Sequence, residues 1–167
     1  MKTETVSFRV IHNKDQEFLF QLYASTRAQE MAQVPWDNQA KDEFLRSQFK
    51  AQTEGYSATY LRAVHRIIQV GESDIGRMIV DRQDECLRLI DLSIAPFWRR
   101  RGIGTGIVQS LMQEADGGKV PMRLAVFTFS PALALYTRLG FRKIGEMPHR
   151  SEMEWRPPSL GQLKTTS

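Results

Sequence analysis

The 167-residue chain lacks several features that define special classes of protein. Its one cysteine, Cys86, cannot form an intramolecular disulfide, and we expect it to be a small buried hydrophobe. The three histidines lie far apart without the spacing of metal ligands, so no metal is expected. No apolar run approaches the roughly 20 residues of a membrane span, and the N-terminus has no apolar signal region. We therefore expect a soluble, cytoplasmic protein without membrane association.

Apolar and charged residues are both present in ordinary amounts, at 41% and 25%. The length suits one domain, which we place at residues 1–156 and follow with a polar, loose tail at residues 157–167. Residues 1–83 carry 11 basic and 11 acidic side chains, whereas residues 84–167 carry 12 basic and 8 acidic ones. The net charge of +4 therefore lies in the second half, where we expect an anionic ligand.

The N-terminal part of the sequence predicts one strand and two helices. Residues 5–11 alternate as a strand does, and Asn13 offers an N-cap for a helix with one apolar face. Residues 25–36 show no regular period, so we expect an irregular segment there. Asp37 can cap a second helix, which Gly55 is expected to end.

The rest of the chain predicts more strands, at residues 60–70, 75–81, 86–95, 120–127, 141–147 and 150–155. Short turns join the first three of these strands into an antiparallel meander. A helix with Ile103 on its apolar face leads from the strand at residues 86–95 to the strand at residues 120–127. This connection predicts that those two strands are parallel. A later helix begins after Ser130 and Pro131 and ends at Gly140. The predicted fold class is mixed α/β.

The chemical signal lies in the loop before Ile103. Three consecutive arginines, Arg99 to Arg101, precede Gly102 and Gly104. Glycines let the backbone approach a ligand closely, and a helix N-terminus exposes unpaired N–H groups at the positive end of its dipole. Such a loop favours a phosphate group. The glycine spacing alone also fits a tight turn with a solvated arginine face.

The pattern Arg99-x-x-Gly102-x-Gly104 resembles the pyrophosphate-binding motif of the GNAT family of acyl-CoA-dependent N-acetyltransferases. The segment Leu92-Ser93-Ile94-Ala95-Pro96 resembles the family's fourth strand, and residues 130–141 resemble its later helix, with the ending Leu-Tyr-x-x-x-Gly-Phe. The element order fits as well, so the resemblance covers roughly residues 5–156. It implies a GNAT fold, in which about four helices flank a mixed, mostly antiparallel sheet that splays between strands 4 and 5.

The resemblance also implies acetyl-CoA as the acyl donor. The pantetheine arm is expected to pair with the backbone near Ile94, and the pyrophosphate to lie on the amides from Arg100 to Thr105. Ser130 stands where many family members have an asparagine that binds the cofactor arm, which leaves that contact open. The expected cofactor-binding residues are Leu92, Ser93, Ile94, Arg99, Arg100, Arg101, Gly102, Ile103, Gly104, Thr105, Ser130 and Tyr136.

Tyr136 is the residue that the resemblance implies as general acid, since a phenol can protonate the departing thiolate. The alternative is a core aromatic on a helix face. Asp91, an acid inside an apolar strand, is the first candidate for the base, with a structural hydrogen-bonding role as its alternative. Further candidates for the base are Glu30, Glu43, Glu152 and His149. No serine or cysteine has a His-acid partner, which favours direct attack in a ternary complex.

The family's first two helices frame the acceptor site, which corresponds here to the segment with Arg27, Glu30 and Trp36. An aromatic pocket of Tyr23, Trp36, Phe44 and Trp155 could hold an amine cation. The acceptor is a small-molecule amine or a protein amine. Two chains could pair through their C-terminal strands, as many family members do. A non-catalytic acyl-CoA-binding or protein-interaction module is the alternative function, and we expect no nucleic-acid partner because no such motif accompanies the arginines.

Overall fold

The computed structural model describes residues 5–161, which form a seven-stranded sheet and five α-helices. The strands are β1 Val6–Val10, β2 Val64–Val70, β3 Ser73–Arg82, β4 Leu87–Ile94, β5 Met122–Phe127, β6 Arg142–Met147 and β7 Arg150–Trp155. The helices are α1 Gln16–Thr26, α2 Ala28–Ala32, α3 Asn38–Thr59, α4 Ile103–Gly117 and α5 Ala132–Arg138. The strand order is β1-β2-β3-β4-β5-β7-β6. The predicted mixed α/β fold class is therefore confirmed.

β4 and β5 pair in parallel, as the connection through a helix predicts. Their registered pairs run from Leu87 with Met122 to Leu89 with Leu124, although both strands continue further. β7 pairs antiparallel with both β5 and β6, and β1 pairs antiparallel with β2. The splay beyond the last registered pair of β4 and β5 stays a prediction.

The chain divides into two compact units, and β3 and β4 contribute residues to both. The first unit extends to Ile79 and resumes with Asp91–Arg101. Its core consists of buried side chains of α1, α2, α3 and β2, namely Leu19, Phe20, Tyr23, Met31, Leu45, Phe49 and Ile67. Burial of this apolar surface is the main force that stabilises the three helices.

The second unit contains Val80–Ile90 and the chain from Gly102 onward. In α4 the predicted apolar face is buried at Ile107, Leu111 and Ala115, and Ile103 is half-buried. Across the described residues, no helix is long and apolar enough to pass through a membrane.

Two predictions for the N-terminal helices are wrong. Residues 25–36 are mostly helical, because α1 continues to Thr26 and α2 follows after one residue. The hydroxyls of Ser25 and Thr26 donate to the carbonyls three residues before them, which satisfies the end of α1. Gly55 does not end α3, which runs on to Thr59. A glycine inside a helix costs only about 1 kcal/mol, so it does not have to end one.

Polar contacts also correct the predicted ends of elements. The N-cap residue of α1 is Asp15 and not Asn13 as predicted. The Asp15 carboxylate accepts a hydrogen bond from the His12 N–H at 2.7 Å. The predicted Asp37 cap is confirmed by a 2.7 Å bond from the Ala40 N–H. The loose tail predicted from residue 157 is wrong at its start, since Pro157 is fully buried. Residues 162–167 lie outside the described part.

Candidate functional site

The loop between β4 and α4 has an unusual backbone. Arg100 has a positive φ of 61°, and Gly102, the N-cap of α4, has a φ of 78°. Left-handed residues in a tight turn can present neighbouring backbone N–H groups to an anion. The first N–H groups of α4 have no partner inside the helix, and its dipole is positive at this end. The loop can therefore bind a phosphate.

Packing does not explain Gly102 at the end of the loop or Gly104 in the first turn of α4. A Cβ built on Gly102 or Gly104 meets no heavy atom of the described residues within 4 Å. Gly102 needs its positive φ, but Gly104 does not have one. The open space at Gly104 fits a ligand that approaches the backbone closely.

The arginines of the loop have different surroundings. The Arg101 guanidinium lies 4.5 Å from the Phe97 ring centroid and 5.1 Å from that of Trp98. Trp98 packs edge to face on Phe97. Arg100 is exposed to solvent. The side chain of Arg99 instead turns back toward β4, where its Nε donates to the Ile94 carbonyl at 2.8 Å.

The end of β4 is held closely by β3 within the first unit. The Ala95 N–H donates to the Ile75 carbonyl at 2.7 Å. A Cβ on Gly76 would lie 2.3 Å from the Ser93 carbonyl oxygen, so only glycine fits there without a backbone shift. Leu92, Ser93 and Ile94 are half-buried. We did not predict the role of Gly76, although a glycine inside a strand often marks a close approach of another backbone.

Asp91 is engaged by two side chains of the first unit. Arg77 Nε donates to its Oδ2 at 2.8 Å, and the Ser93 hydroxyl lies 3.2 Å from both carboxylate oxygens. Arg77 is buried and also donates to Gln52 Oε1 at 3.2 Å. These contacts supply the structural hydrogen-bonding role named as the alternative for Asp91. Its role as base stays a prediction.

A histidine that we did not predict lies in the electrostatic field of this pair. Burial, followed by the positive charge of Arg77, lowers the pKa of His65 on β2, while Asp91 opposes the shift. His65 is therefore neutral near pH 7. The histidine named among the base candidates, His149, is exposed and has a positive φ of 66° in the turn between β6 and β7.

The predicted acceptor residues of the first unit come together around Arg27. Its guanidinium donates to both Glu30 oxygens, at 2.6 and 2.8 Å, and to the Tyr23 hydroxyl at 2.7 Å. This pairing holds the pKa of Glu30 below its usual value. The Arg27 guanidinium carbon also lies 5.9 Å from the Phe44 ring centroid, and Trp36 packs edge to face on Phe44 at 5.4 Å. Trp36 is 47% exposed, so the cluster reaches the surface.

Tyr136 lies in the second unit, on α5. Its ring packs edge to face on Phe141 at a centroid distance of 5.4 Å, and the residue is half-buried. The Ser130 hydroxyl accepts from the Ala132 N–H at 3.2 Å, but the N-cap of α5 is Pro131 and not Ser130 as predicted. Trp155, expected in the acceptor pocket, also belongs to this unit and lies beside Gly140.

The other acidic candidates for the base, Glu152 and Glu43, form contacts with neighbouring side chains, and the single cysteine is buried. Glu152 forms an ion pair with Arg88, and Glu43 accepts from Gln39 at 3.2 Å. Cys86 is 2% exposed, as expected, and burial raises the pKa of its thiol. In the described part of the chain, no three His, Cys, Asp or Glu side chains are grouped so that they could hold a metal ion.

Together, the fold and the loop define an α/β protein with a helix N-terminus that suits a phosphorylated ligand. A family model described as an acetyltransferase (GNAT) domain matches residues 60–143, just over half of the chain. The chain belongs to the GNAT acetyltransferase family. No protein among those of curated function matches the sequence significantly.

Solved structures agree with this family. The PaiA N-acetyltransferase of Thermoplasma acidophilum, solved in complex with coenzyme A, has a TM-score of 0.67 and 15% identity, covering 91% of this chain and 99% of that one. An acetyltransferase of Thermus thermophilus has a TM-score of 0.65 and 18% identity, covering 93% and 99%. The ribosomal-protein-S18-alanine N-acetyltransferase of Escherichia coli has a TM-score of 0.61 and 15% identity, covering 98% and 99%. At these identities the likeness shows a shared fold.

Proposed function

We propose that this protein transfers an acetyl group from acetyl-CoA to a primary amine by direct attack in a ternary complex, and that residues 1–156 act as one acetyltransferase domain. The observation that carries the proposal is the backbone of the loop, where Arg100 and Gly102 have positive φ immediately before α4. Membership of the GNAT family and the coenzyme A complex of a structural neighbour support it.

The residues of the loop fit the phosphates of coenzyme A. The N–H groups from Arg100 to Thr105 would bind the pyrophosphate, and the exposed Arg100 and Arg101 side chains would add charge. The open space at Gly104 supports close approach of the ligand. The backbone of β4 near Ile94 would bind the pantetheine arm. When bound, acetyl-CoA supplies a thioester whose C–S bond breaks as the C–N bond to the amine forms.

We propose Tyr136 as the general acid. The acceptor ammonium would lose one proton to a base, and the neutral amine would then attack the thioester carbon. The Tyr136 hydroxyl would donate its proton to the departing sulfur, and the second proton lost by the nitrogen after the C–N bond forms would restore the phenol. The packing of Tyr136 on Phe141 supports a fixed ring orientation. Asp91 stays the first candidate for the base, and its ion pair with Arg77 gives it a structural role in either case.

The Arg27 cluster is the proposed acceptor site. Its exposed Trp36 offers an aromatic face, and Glu30 offers a carboxylate that is 62% exposed. An aromatic face beside a carboxylate suits an amine in its cationic form. The acceptor would be a small amine or an amine of a protein. Trp36→Ala is expected to raise the KM for the acceptor and to leave the affinity for coenzyme A unchanged.

The experiment measures coenzyme A binding by calorimetry and thiol release from acetyl-CoA with a panel of amines. Tyr136→Phe is expected to lower kcat by about 100-fold or more, the size of a typical acid-base contribution, with unchanged coenzyme A affinity. Tyr60→Phe is the matched control, since Tyr60 lies at the end of α3 and has no proposed role.

Each other result has a defined meaning. An unchanged rate in Tyr136→Phe would show that the acid assignment is wrong. Coenzyme A binding without thiol release from any amine would favour the non-catalytic binding module. Absence of coenzyme A binding by the wild-type protein would overturn the proposed function itself.

A further inference from the structure

The side chain of Arg99 bridges two parts of the first unit. Its Nε donates to the Ile94 carbonyl at 2.8 Å, and its Nη2 donates to the Ser25 hydroxyl at 3.0 Å. The Ser25 hydroxyl donates in turn to the Leu22 carbonyl at 2.6 Å. The hydroxyl therefore acts as acceptor and donor at once, which fixes its orientation. The guanidinium joins the last residue of β4 to the last turn of α1.

Arg100 and Arg101 differ from Arg99 in this respect. Neither of them forms an ion pair with a carboxylate in residues 5–161, and both are exposed. Their charge is therefore available to a phosphate, whereas two donors of Arg99 are already used by the protein.

The Arg99 bridge connects two segments that lead to the proposed binding sites, the end of β4 and the end of α1. Ile94 is the end of the strand from which the loop starts, and β3 already fixes the residues on either side of it. Arg99 donates to the carbonyl of Ile94 at one end of the bridge. At its other end, Ser25 lies two residues before Arg27 of the acceptor cluster. A shift of Arg99 would remove the side-chain link between the strand end and the last turn of α1.

We propose that Ser25 and Arg99 form a positioning pair that fixes the end of β4 against α1, so that the loop is pre-organised while Arg100 and Arg101 supply the charge for the phosphates. This inference rests on the proposed function. Ser25 would then affect cofactor binding through Arg99, without contacting the cofactor.

The test is a double-mutant cycle on coenzyme A affinity, measured by calorimetry at constant ionic strength. Ser25→Ala is expected to weaken binding about three- to tenfold, the effect of one hydrogen bond to a charged group at a partly exposed site. Arg99→Lys keeps the charge but replaces the planar fork, so it is expected to weaken binding by a similar factor. The double variant should be no weaker than the worse single variant.

Two further variants control the cycle. Ser25→Thr keeps the hydroxyl and is expected to restore affinity to within about twofold of wild type, a rescue that a purely steric role would not give. Ser47→Ala removes an exposed hydroxyl of α3 and is the matched control. Thermal unfolding of each variant checks that the fold is intact.

The inference is overturned if Ser25→Ala leaves the affinity unchanged or if the two single effects add. It is also overturned if Arg99→Lys keeps wild-type affinity, because a lysine can serve a phosphate directly but cannot span both acceptors. Failure of the wild-type protein to bind coenzyme A overturns the proposed function and this inference with it, whereas the first three results leave the proposed function intact.

Discussion

Removal of the Asp91 carboxylate is expected to destabilise the protein by several kcal/mol. The side chains of Arg77 and Asp91 are only 7% and 17% exposed and are joined at 2.8 Å. Removing one partner of a buried pair typically costs about 3–5 kcal/mol, because the other charge stays buried. Gln52 remains as an acceptor for Arg77, so we expect Asp91→Ala to lower the free energy of unfolding by about 2–4 kcal/mol.

Urea unfolding followed by circular dichroism at pH 7 measures this change. The double variant Arg77→Leu with Asp91→Ala is expected to recover most of the loss, since replacing both charges by apolar groups is often neutral. Asp42→Ala is the matched control, because Asp42 pairs with Arg46 at an exposed position and should change stability little. A loss below about 1 kcal/mol, or a double variant as unstable as the single one, would refute the reasoning.

A second substitution of Asp91 distinguishes its proposed role as base from its structural role. Asp91→Asn keeps the shape of the side chain and one acceptor for Arg77. If Asp91 is the base, this variant should fold and bind coenzyme A, yet lose turnover together with the acid limb of the pH-rate profile. If the role is structural, the pH profile should keep its shape.

Three other changes test the fold and the loop. Gly76→Ala should lower the free energy of unfolding by about 1–3 kcal/mol in a urea titration, because its Cβ collides with the Ser93 carbonyl, and equal stability would contradict this. Gly104→Ala should leave the thermal midpoint unchanged or slightly raised but weaken coenzyme A binding, and unchanged affinity would show that the open space has no role. Arg9 holds the pKa of Asp15 well below its usual range, so the pair contributes stability that is complete above pH of about 4 and is lost as pH falls through the lowered pKa. Arg9→Gln should therefore cost about 1–2 kcal/mol at pH 7, with a difference from wild type that shrinks in acid, and a difference independent of pH would contradict the ion pair.

Features of the fold set by neighbouring residues could be predicted from the sequence. The buried face of α4 follows from the spacing of Ile107, Leu111 and Ala115, and all three are buried. The cap at Asp37 involves a residue three positions away, and Gly140 has the positive φ expected of a helix stop. These signals are local, so the sequence alone contains them.

The errors occur where tertiary contacts outweigh a local preference. Gly55 is a weak helix former, but α3 is stabilised by the burial of Leu45 and Phe49 in the core of the first unit. The segment after Ser25 has no clear period, yet Met31 is buried in the same core. A glycine or an irregular pattern predicts the end of a helix only when no such packing opposes it.

In the candidate site, too, the features formed by neighbouring residues could be predicted from the sequence, and those formed by distant residues could not. The glycines and arginines of the loop are contiguous, so their pattern pointed to a phosphate. The partners that fix the site are distant in sequence: Arg77 lies 14 residues from Asp91, and Ser25 lies 74 residues from Arg99. No local period connects such residues, and only the fold brings them within hydrogen-bond distance.

The excess of basic residues in the second half of the chain can be interpreted by asking which of its arginines pair with a carboxylate. In the second unit, Arg88 and Arg123 pair with Glu152 and Glu154, so these arginines add no free charge. The exposed Arg100 has no carboxylate partner among the described residues and lies two residues before the N-cap of a fifteen-residue helix. Fixed positive charge beside unpaired N–H groups attracts a compact polyanion at one point rather than a long one along a surface. The charge of this half of the chain therefore supports a phosphorylated cofactor bound at the loop.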